Sequence, residues 1–216
     1  MNLFFSLYKI PFFFIIVAIM TQSIEAVFSV SFAHFGIKPL DFNGFLGIFL
    51  FPLIHGSWEH LFSNITTLII LCGILFYHFH SVSHIIFWIS YLIPGLITWI
   101  IGRDSFHIGA SGITYSLMAF LIFIGFFAKK RNILAISFAM LFLHSGFIWG
   151  MIPQSSGISW ETHVAGFFVG LALAYFFKDF SFTSYQILKK NPYSPHSTTF
   201  EDETSFTYTI KKKSQT

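Results

Sequence analysis

Charged residues are scarce in this sequence. Lysine, arginine, aspartate and glutamate make up only 10% of its 216 residues, whereas soluble domains carry about 25% charged residues. Hydrophobic residues reach 55%, and the mean hydropathy is +0.72. Water is therefore not the main solvent of this chain, which excludes an ordinary soluble domain.

Two further shortages narrow the class of protein. The only cysteine, Cys72, excludes an intramolecular disulfide. It lies inside an apolar window, where we expect it to pack as a small side chain. The 12 basic residues form no run interleaved with aromatic residues, so we expect no nucleic-acid partner.

What the chain has in abundance is apolar sequence in windows close to 20 residues, the length that crosses a bilayer core of about 30 Å. We predict an all-α polytopic membrane protein with six transmembrane helices, TM1 to TM6, at about residues 10–28, 55–79, 85–101, 110–128, 133–149 and 161–177. Residues 10–20 also resemble a secretory signal. The apolar window continues to residue 28, however, which favours a retained helix.

The segments outside these windows divide the chain. Residues 31–57 contain too many glycines and prolines for a straight span, and we expect an irregular loop packed against the bundle. Residues 1–178 then form one membrane domain. Residues 179–216 are polar and lack an apolar period, which predicts a disordered cytoplasmic tail.

Basic residues predict the orientation of the bundle. With a cytoplasmic N-terminus, ten of the 12 lie inside and only Lys38 and Arg103 lie outside, in agreement with the positive-inside rule. Both chain ends are then cytoplasmic. TM2, TM4 and TM6 all run from outside to inside, so their first residues share the outer leaflet.

Unusual polar residues stand at those three starts, namely His60 and Asn64 in TM2, Ser111 in TM4 and His163 in TM6. A serine hydroxyl becomes a good nucleophile only when a base within about 3 Å takes its proton, and His163 is the candidate base. Glu161 is predicted to point elsewhere on its helix. The sequence therefore predicts a Ser-His dyad that opens to the outer side.

Acyl transfer also needs hydrogen-bond donors where the oxyanion develops. His60 and Asn64 stand at i and i+4 on one face of TM2. Together with the backbone N–H of Ser111 at a helix start, they are the candidate donors. Gly109 and Gly112 permit the turn and a close approach of substrate.

Packing residues complete the predicted site. Tyr115, one turn from Ser111, is expected to pack against the ring of His163. Gly166 and Gly170 form a small-xxx-small pattern of the kind that lets membrane helices approach closely. We expect TM4 and TM6 to pack tightly through these residues.

These residues carry a resemblance, over about residues 8–178, to the rhomboid intramembrane serine proteases. The matching motifs, in order, are His55-Gly-Ser-Trp-Glu-His60 with Asn64, Gly109-Ala-Ser-Gly112 with Tyr115, and His163-Val-Ala-Gly166 with Gly170. The resemblance implies that Ser111 is the nucleophile and His163 the base. It assigns the oxyanion site to His60, Asn64 and the Ser111 amide. It also implies a six-helix core and a mobile loop near residues 151–160 that caps a water-filled cavity.

The function expected from this resemblance is cleavage of peptide bonds in or next to transmembrane segments of membrane proteins, in a bacterial plasma membrane and without metal or cofactor. A catalytically silent rhomboid-like protein that binds membrane clients is the alternative. A small transporter is disfavoured because no internal repeat is evident. His78, His80 and His84 resemble a metal cluster, but solvated histidines at a turn are the favoured interpretation.

Overall fold

The structure, a computed structural model, describes residues 3–153, 157 and 159–180, with side chains from residue 8 onward. Helices are the regular secondary structure of these ranges, and the β-type pairing found in them is one isolated bridge between Ile37 and His107. The predicted tail lies outside the described residues from position 181 on. Part of the predicted mobile loop, residues 154–156 and 158, lies outside them too.

Four helices are long and apolar enough to cross a membrane: α1 (Leu3–Phe28), α4 (Trp58–His78), α5 (Ser83–Ile101) and α6 (Ser111–Ala128). They coincide closely with the predicted TM1 to TM4. The last helix, α8 (Trp160–Phe176), has 17 residues, slightly fewer than the roughly 20 that span a bilayer. The all-α polytopic membrane bundle is confirmed, whereas the count of six spans stays a prediction.

The segment predicted as TM5, at about residues 133–149, is not one continuous helix. Helix α7 (Arg131–Leu143) ends where the amide of His144 donates to Met140 O at 3.0 Å, and a 3-10 helix, Ser145–Met151, follows at a bend of 62°. His, Ser and Gly stand in a row at the bend, and all three are weaker helix formers than the leucines before them. The bend directs the 3-10 helix toward the start of α6, where Phe147 O accepts a hydrogen bond from the Tyr115 hydroxyl.

The segment between α1 and α4 is irregular, as expected, and is tied to the bundle. It contains two single-turn helices, α2 (Phe42–Phe45) and α3 (Gly47–Leu50), and two short 3-10 turns, Ala33–Phe35 and Phe51–Leu53. The hydroxyl of Tyr91 in α5 donates to Phe49 O at 2.6 Å. This hydrogen bond satisfies a backbone carbonyl to which bilayer lipid could not donate.

Two further contacts hold the first part of this segment. Near its start, the Glu25 carboxylate accepts from the amide of Phe32 at 2.6 Å, which explains an acid near the end of an apolar helix. Farther along, Ile37 and His107 exchange both backbone hydrogen bonds, at 3.0 and 2.9 Å. The segment is therefore joined to the loop that precedes Ser111.

Helix α6 lies at the centre of the bundle. Its span is 72% buried, against 28–39% for the other three long helices. Against α8 it packs almost backbone to backbone, because a Cβ added at Gly166 would collide with Gly112 O, and one added at Gly170 would collide with Ser116 O. This is the close approach of TM4 and TM6 that the small residues predicted.

Replacing Gly170 tests this interface. In Gly170→Ala the new methyl group meets the carbonyl of Ser116, a backbone atom that cannot rotate away, so α6 and α8 must separate. We expect a loss of about 1–3 kcal/mol in the free energy of unfolding, measured by denaturant titration in detergent micelles. The control is Gly73→Ala in α4, where nothing lies within 4 Å of the added Cβ. Equal stability of the two variants would contradict the interface.

Candidate active site

Ser111 is the first residue of α6, and the backbone before it is held from two sides. The amide of Gly109 donates to Phe51 O at 2.8 Å, and the amide of Ala110 donates to His55 Nε2 at 3.3 Å. Both acceptors belong to the irregular segment between α1 and α4. That segment therefore sets the position at which α6 begins, and with it the position of Ser111.

Gly109 is needed for both its conformation and its size. Its φ of +107° lies in a region that side chains disfavour. A Cβ at this position would stand 2.6 Å from Cε1 of His60. The ring of His60 also meets that of His55 edge to face, with 5.0 Å between their centroids. The glycine thus brings the start of α6 against the candidate oxyanion donor.

His163 lies in the first turn of α8, and two contacts hold its ring. The ring of Tyr115 is parallel to it within 5°, with 4.1 Å between centroids. Nδ1 lies 2.7 Å from the carbonyl oxygen of Gly150. The packing with Tyr115 was predicted from the sequence. The contact with Gly150 was not predicted, because this residue lies just beyond the predicted TM5, where nothing in the sequence indicated a contact with His163.

The predicted site residues meet at one cavity of about 710 Å³. Five of them line it, namely His60, Asn64, Ser111, Tyr115 and His163. Among the described residues the side-chain amide nitrogen of Asn64 is buried without a hydrogen-bond partner, so it remains available to an acceptor in the cavity. Gly112, Gly166 and Gly170 lie at the α6–α8 contact instead, where they bring the two helices together.

Comparison with known proteins identifies the family of this chain. The family model described as Rhomboid domain matches residues 42–180. The chain belongs to the rhomboid family. It is accordingly an integral, multi-pass membrane protein of a family of intramembrane proteases and rhomboid-like proteins.

Several curated relatives of this rhomboid are mycobacterial. Uncharacterized proteins of Mycobacterium tuberculosis and Mycobacterium bovis are each 35% identical over 152 residues, and one of Mycobacterium leprae is 33% identical over the same length. The match covers 65% of this chain and 62% of the M. tuberculosis and M. bovis proteins. The chain thus spans about three fifths of the length of these relatives.

Glu161, the acid two residues before His163, contacts the loop before Ser111. Glu161, expected to point elsewhere, is 4% exposed and lies 3.5 Å from Arg103 Nε and 4.0 Å from His107 Nδ1. It also interacts electrostatically with His163. Glu161 is the second residue of α8, and an anion in that position is stabilised by the partial positive charge of the helix N-terminus.

His107, for which the sequence suggested no partner, is fixed on both ring nitrogens. Nε2 lies 3.1 Å from the carbonyl oxygen of Arg103, and Nδ1 makes a short hydrogen bond with Ser159 Oγ. Burial lowers the pKa of His107, although the Arg103 carbonyl and the Glu161 carboxylate both act in the opposite direction. His107 joins the loop before Ser111 to the residue that precedes α8.

In the structure, the histidines near the turn after α4 are not grouped as metal ligands. In the ranges that the structure covers, no three His, Cys, Asp or Glu side chains come close enough to hold an ion. His78, His80 and His84 lie at or near the turn between α4 and α5. That turn is at the opposite end of α4 from His60.

The buried His55 predicts how stability depends on pH. Burial, aided by the charge that His60 can carry, lowers the pKa of His55 to about 3, so the folded protein keeps the ring neutral while the unfolded chain takes up a proton below its ordinary value of 6.5. Stability is then lost as the pH falls below about 6.5, by up to about 1.4 kcal/mol per pH unit for this one group.

Denaturant titration in one detergent at pH 7, 6 and 5 measures this loss. His55→Asn removes the titrating group, so its free energy of unfolding should depend less steeply on pH than that of the wild type. Parallel pH dependence of the two proteins would show that His55 does not titrate on unfolding.

Proposed function

We propose that this rhomboid is an intramembrane serine endopeptidase. The observation that carries the proposal is that Ser111, His163, His60 and Asn64, which come from three different helices, line the same cavity. A nucleophile, a base and two donors are the groups that acyl transfer needs. Helix packing alone does not require them to face one space.

The reaction runs as an acyl transfer in two steps. In the first step His163 takes the proton of the Ser111 hydroxyl while the Ser111 oxygen bonds to the carbonyl carbon of the scissile peptide. His163 then gives that proton to the leaving amine as the C–N bond breaks. In the second step His163 takes a proton from the water that attacks the acyl-enzyme and returns it to the Ser111 oxygen as the ester C–O bond breaks. Each proton that His163 accepts is passed on within the same step, so the proposed reaction uses no cofactor.

The negative charge of the tetrahedral intermediate falls near three donors. These are the side chains of His60 and Asn64 and the backbone amide of Ser111, whose position in the first turn of α6 leaves it without a partner inside the helix. Donors fixed before the reaction act strongly in a site of low dielectric. The unpartnered amide nitrogen of Asn64 fits this role.

The substrates that fit this setting are transmembrane segments of other membrane proteins, because the cavity lies among the helices of an integral membrane protein. The bacterial relatives favour a plasma-membrane location, and the distribution of basic residues favours a site that opens to the outer side with both chain ends cytoplasmic. A client-binding rhomboid without activity is the alternative that experiment must separate.

Replacement of the dyad separates these two functions. We expect Ser111→Ala and His163→Ala each to abolish cleavage of a transmembrane substrate in proteoliposomes, because each removes a group on which the proton transfer depends. A fluorophosphonate or isocoumarin should label the wild type at Ser111. Absence of both cleavage and label in the wild type would support the silent client-binding protein. Cleavage by Ser111→Ala would show that another residue is the nucleophile.

Replacement of the donors tests the oxyanion site. His60→Ala and Asn64→Ala should each lower kcat by about 10²–10³ with little change in KM, the usual cost of one lost donor. Initial rates over a range of substrate concentrations in proteoliposomes separate the two constants. Asn132→Ala, an exposed residue at the start of α7 and at the other end of the bundle, is the control. A rise in KM at constant kcat would assign these residues to substrate binding.

A further inference from the structure

The ring of His163 is held by two contacts that do different things. Stacking on Tyr115, parallel within 5°, fixes the plane of the ring. A half-turn of the imidazole about its Cβ–Cγ bond exchanges ring nitrogen and carbon positions and leaves that stacking almost unchanged. Tyr115 by itself therefore does not decide which nitrogen faces the cavity.

The hydrogen bond to Gly150 decides which nitrogen of His163 faces the cavity. A carbonyl oxygen accepts hydrogen bonds and cannot donate them, so the nitrogen 2.7 Å from it, Nδ1, carries the proton of the neutral ring. We propose that the main-chain carbonyl of Gly150 is the positioning group that keeps His163 in the tautomer with a bare Nε2. This inference rests on the proposed function, in which Nε2 takes the proton of Ser111.

In a Ser-His-Asp triad an aspartate does this work, because it accepts from Nδ1 and so sets the tautomer and the orientation of the ring. Glu161 does not occupy that position. Its carboxylate lies against Arg103 and His107, and its effect on His163 is electrostatic at a distance. The atom that accepts from Nδ1 is an uncharged backbone oxygen.

The 3-10 helix Ser145–Met151 has the geometry to provide this oxygen. It has three residues per turn, so the carbonyls of Phe147 and Gly150 lie one above the other on the same side. Phe147 O accepts from the hydroxyl of Tyr115 at 2.8 Å, and Gly150 O accepts from His163. The two stacked rings are thus hydrogen-bonded to carbonyls one turn apart in the same 3-10 helix.

A glycine at position 150 is what allows the segment to come so close. A Cβ there would collide with the hydroxyl of Tyr115 and would stand 3.2 Å from Nδ1 of His163. Any side chain would push the carbonyl away from the ring. Gly150→Ala would disturb stacking and hydrogen bonding together, so the experiment has to weaken the carbonyl without adding atoms.

A backbone ester does this. Replacing Met151 by its α-hydroxy analogue converts the carbonyl of Gly150 from an amide to an ester, a weaker acceptor in the same place. We expect kcat to fall roughly tenfold at unchanged KM, the effect of losing about one hydrogen bond. The matched control is the same replacement at Ile152. It removes the Ile152 amide that donates to Trp149 O at 3.3 Å but leaves the Gly150 carbonyl an amide, and it should keep the kcat of the wild type.

The tautomer itself is read by ¹⁵N NMR of histidine-labelled protein in micelles at pH 8, with the His163 signals assigned by their loss in His163→Ala. The expected result is a protonated Nδ1 and a bare Nε2 in the wild type and the Ile152 ester, with a mixture of tautomers in the Met151 ester. A wild-type ring protonated on Nε2 overturns the inference, as does a Met151 ester with the kcat and tautomer of the wild type. If Ser111→Ala still abolishes cleavage in that case, the proposed function stands without it.

Discussion

The near-contact of the α6 and α8 backbones is the constraint on which the rest of this molecule depends. Membrane helices gain little from apolar burial against each other, since lipid is equally apolar, so their association relies on close packing and hydrogen bonds. Gly166 and Gly170 supply that packing by letting α8 touch carbonyl oxygens of α6. Because Ser111 and His163 lie in the first turns of these two helices, the same contact brings both residues to one cavity.

Irregular backbone supplies what straight helices cannot. The segment between α1 and α4 holds the turn before Ser111 through Phe51 and His55, and the 3-10 helix after α7 holds the rings of Tyr115 and His163. In both segments, side chains or amides of the bundle bond backbone carbonyls that have no partner in a regular helix. The bundle therefore provides the position of the site, and the non-helical segments provide its orientation.

This division explains what the sequence could and could not predict. The length of the apolar windows predicts the helices. Counting these windows along the chain predicts that Ser111 and His163 lie at the same depth. The role of Gly150 was not predicted because it depends on the 62° bend after α7, and the hydropathy of a window does not reveal the angle between two successive helical segments. The partners of Glu161 were not predicted because helical spacing alone ignores loop residues such as Arg103 and His107, which lie more than fifty positions earlier in the chain.

An uncharged acceptor suits a catalytic histidine in a bilayer better than an acid does. A carboxylate next to His163 would need its own donors in a medium that penalises every unpaired charge. The carbonyl of Gly150 carries a fixed dipole and no net charge, so it orients the ring without that cost. The one acid nearby, Glu161, is kept where Arg103 and the N-terminus of α8 stabilise it. In the proposed mechanism, the backbone oxygen that touches His163 orients its ring, whereas the carboxylate of Glu161 acts on the ring only electrostatically.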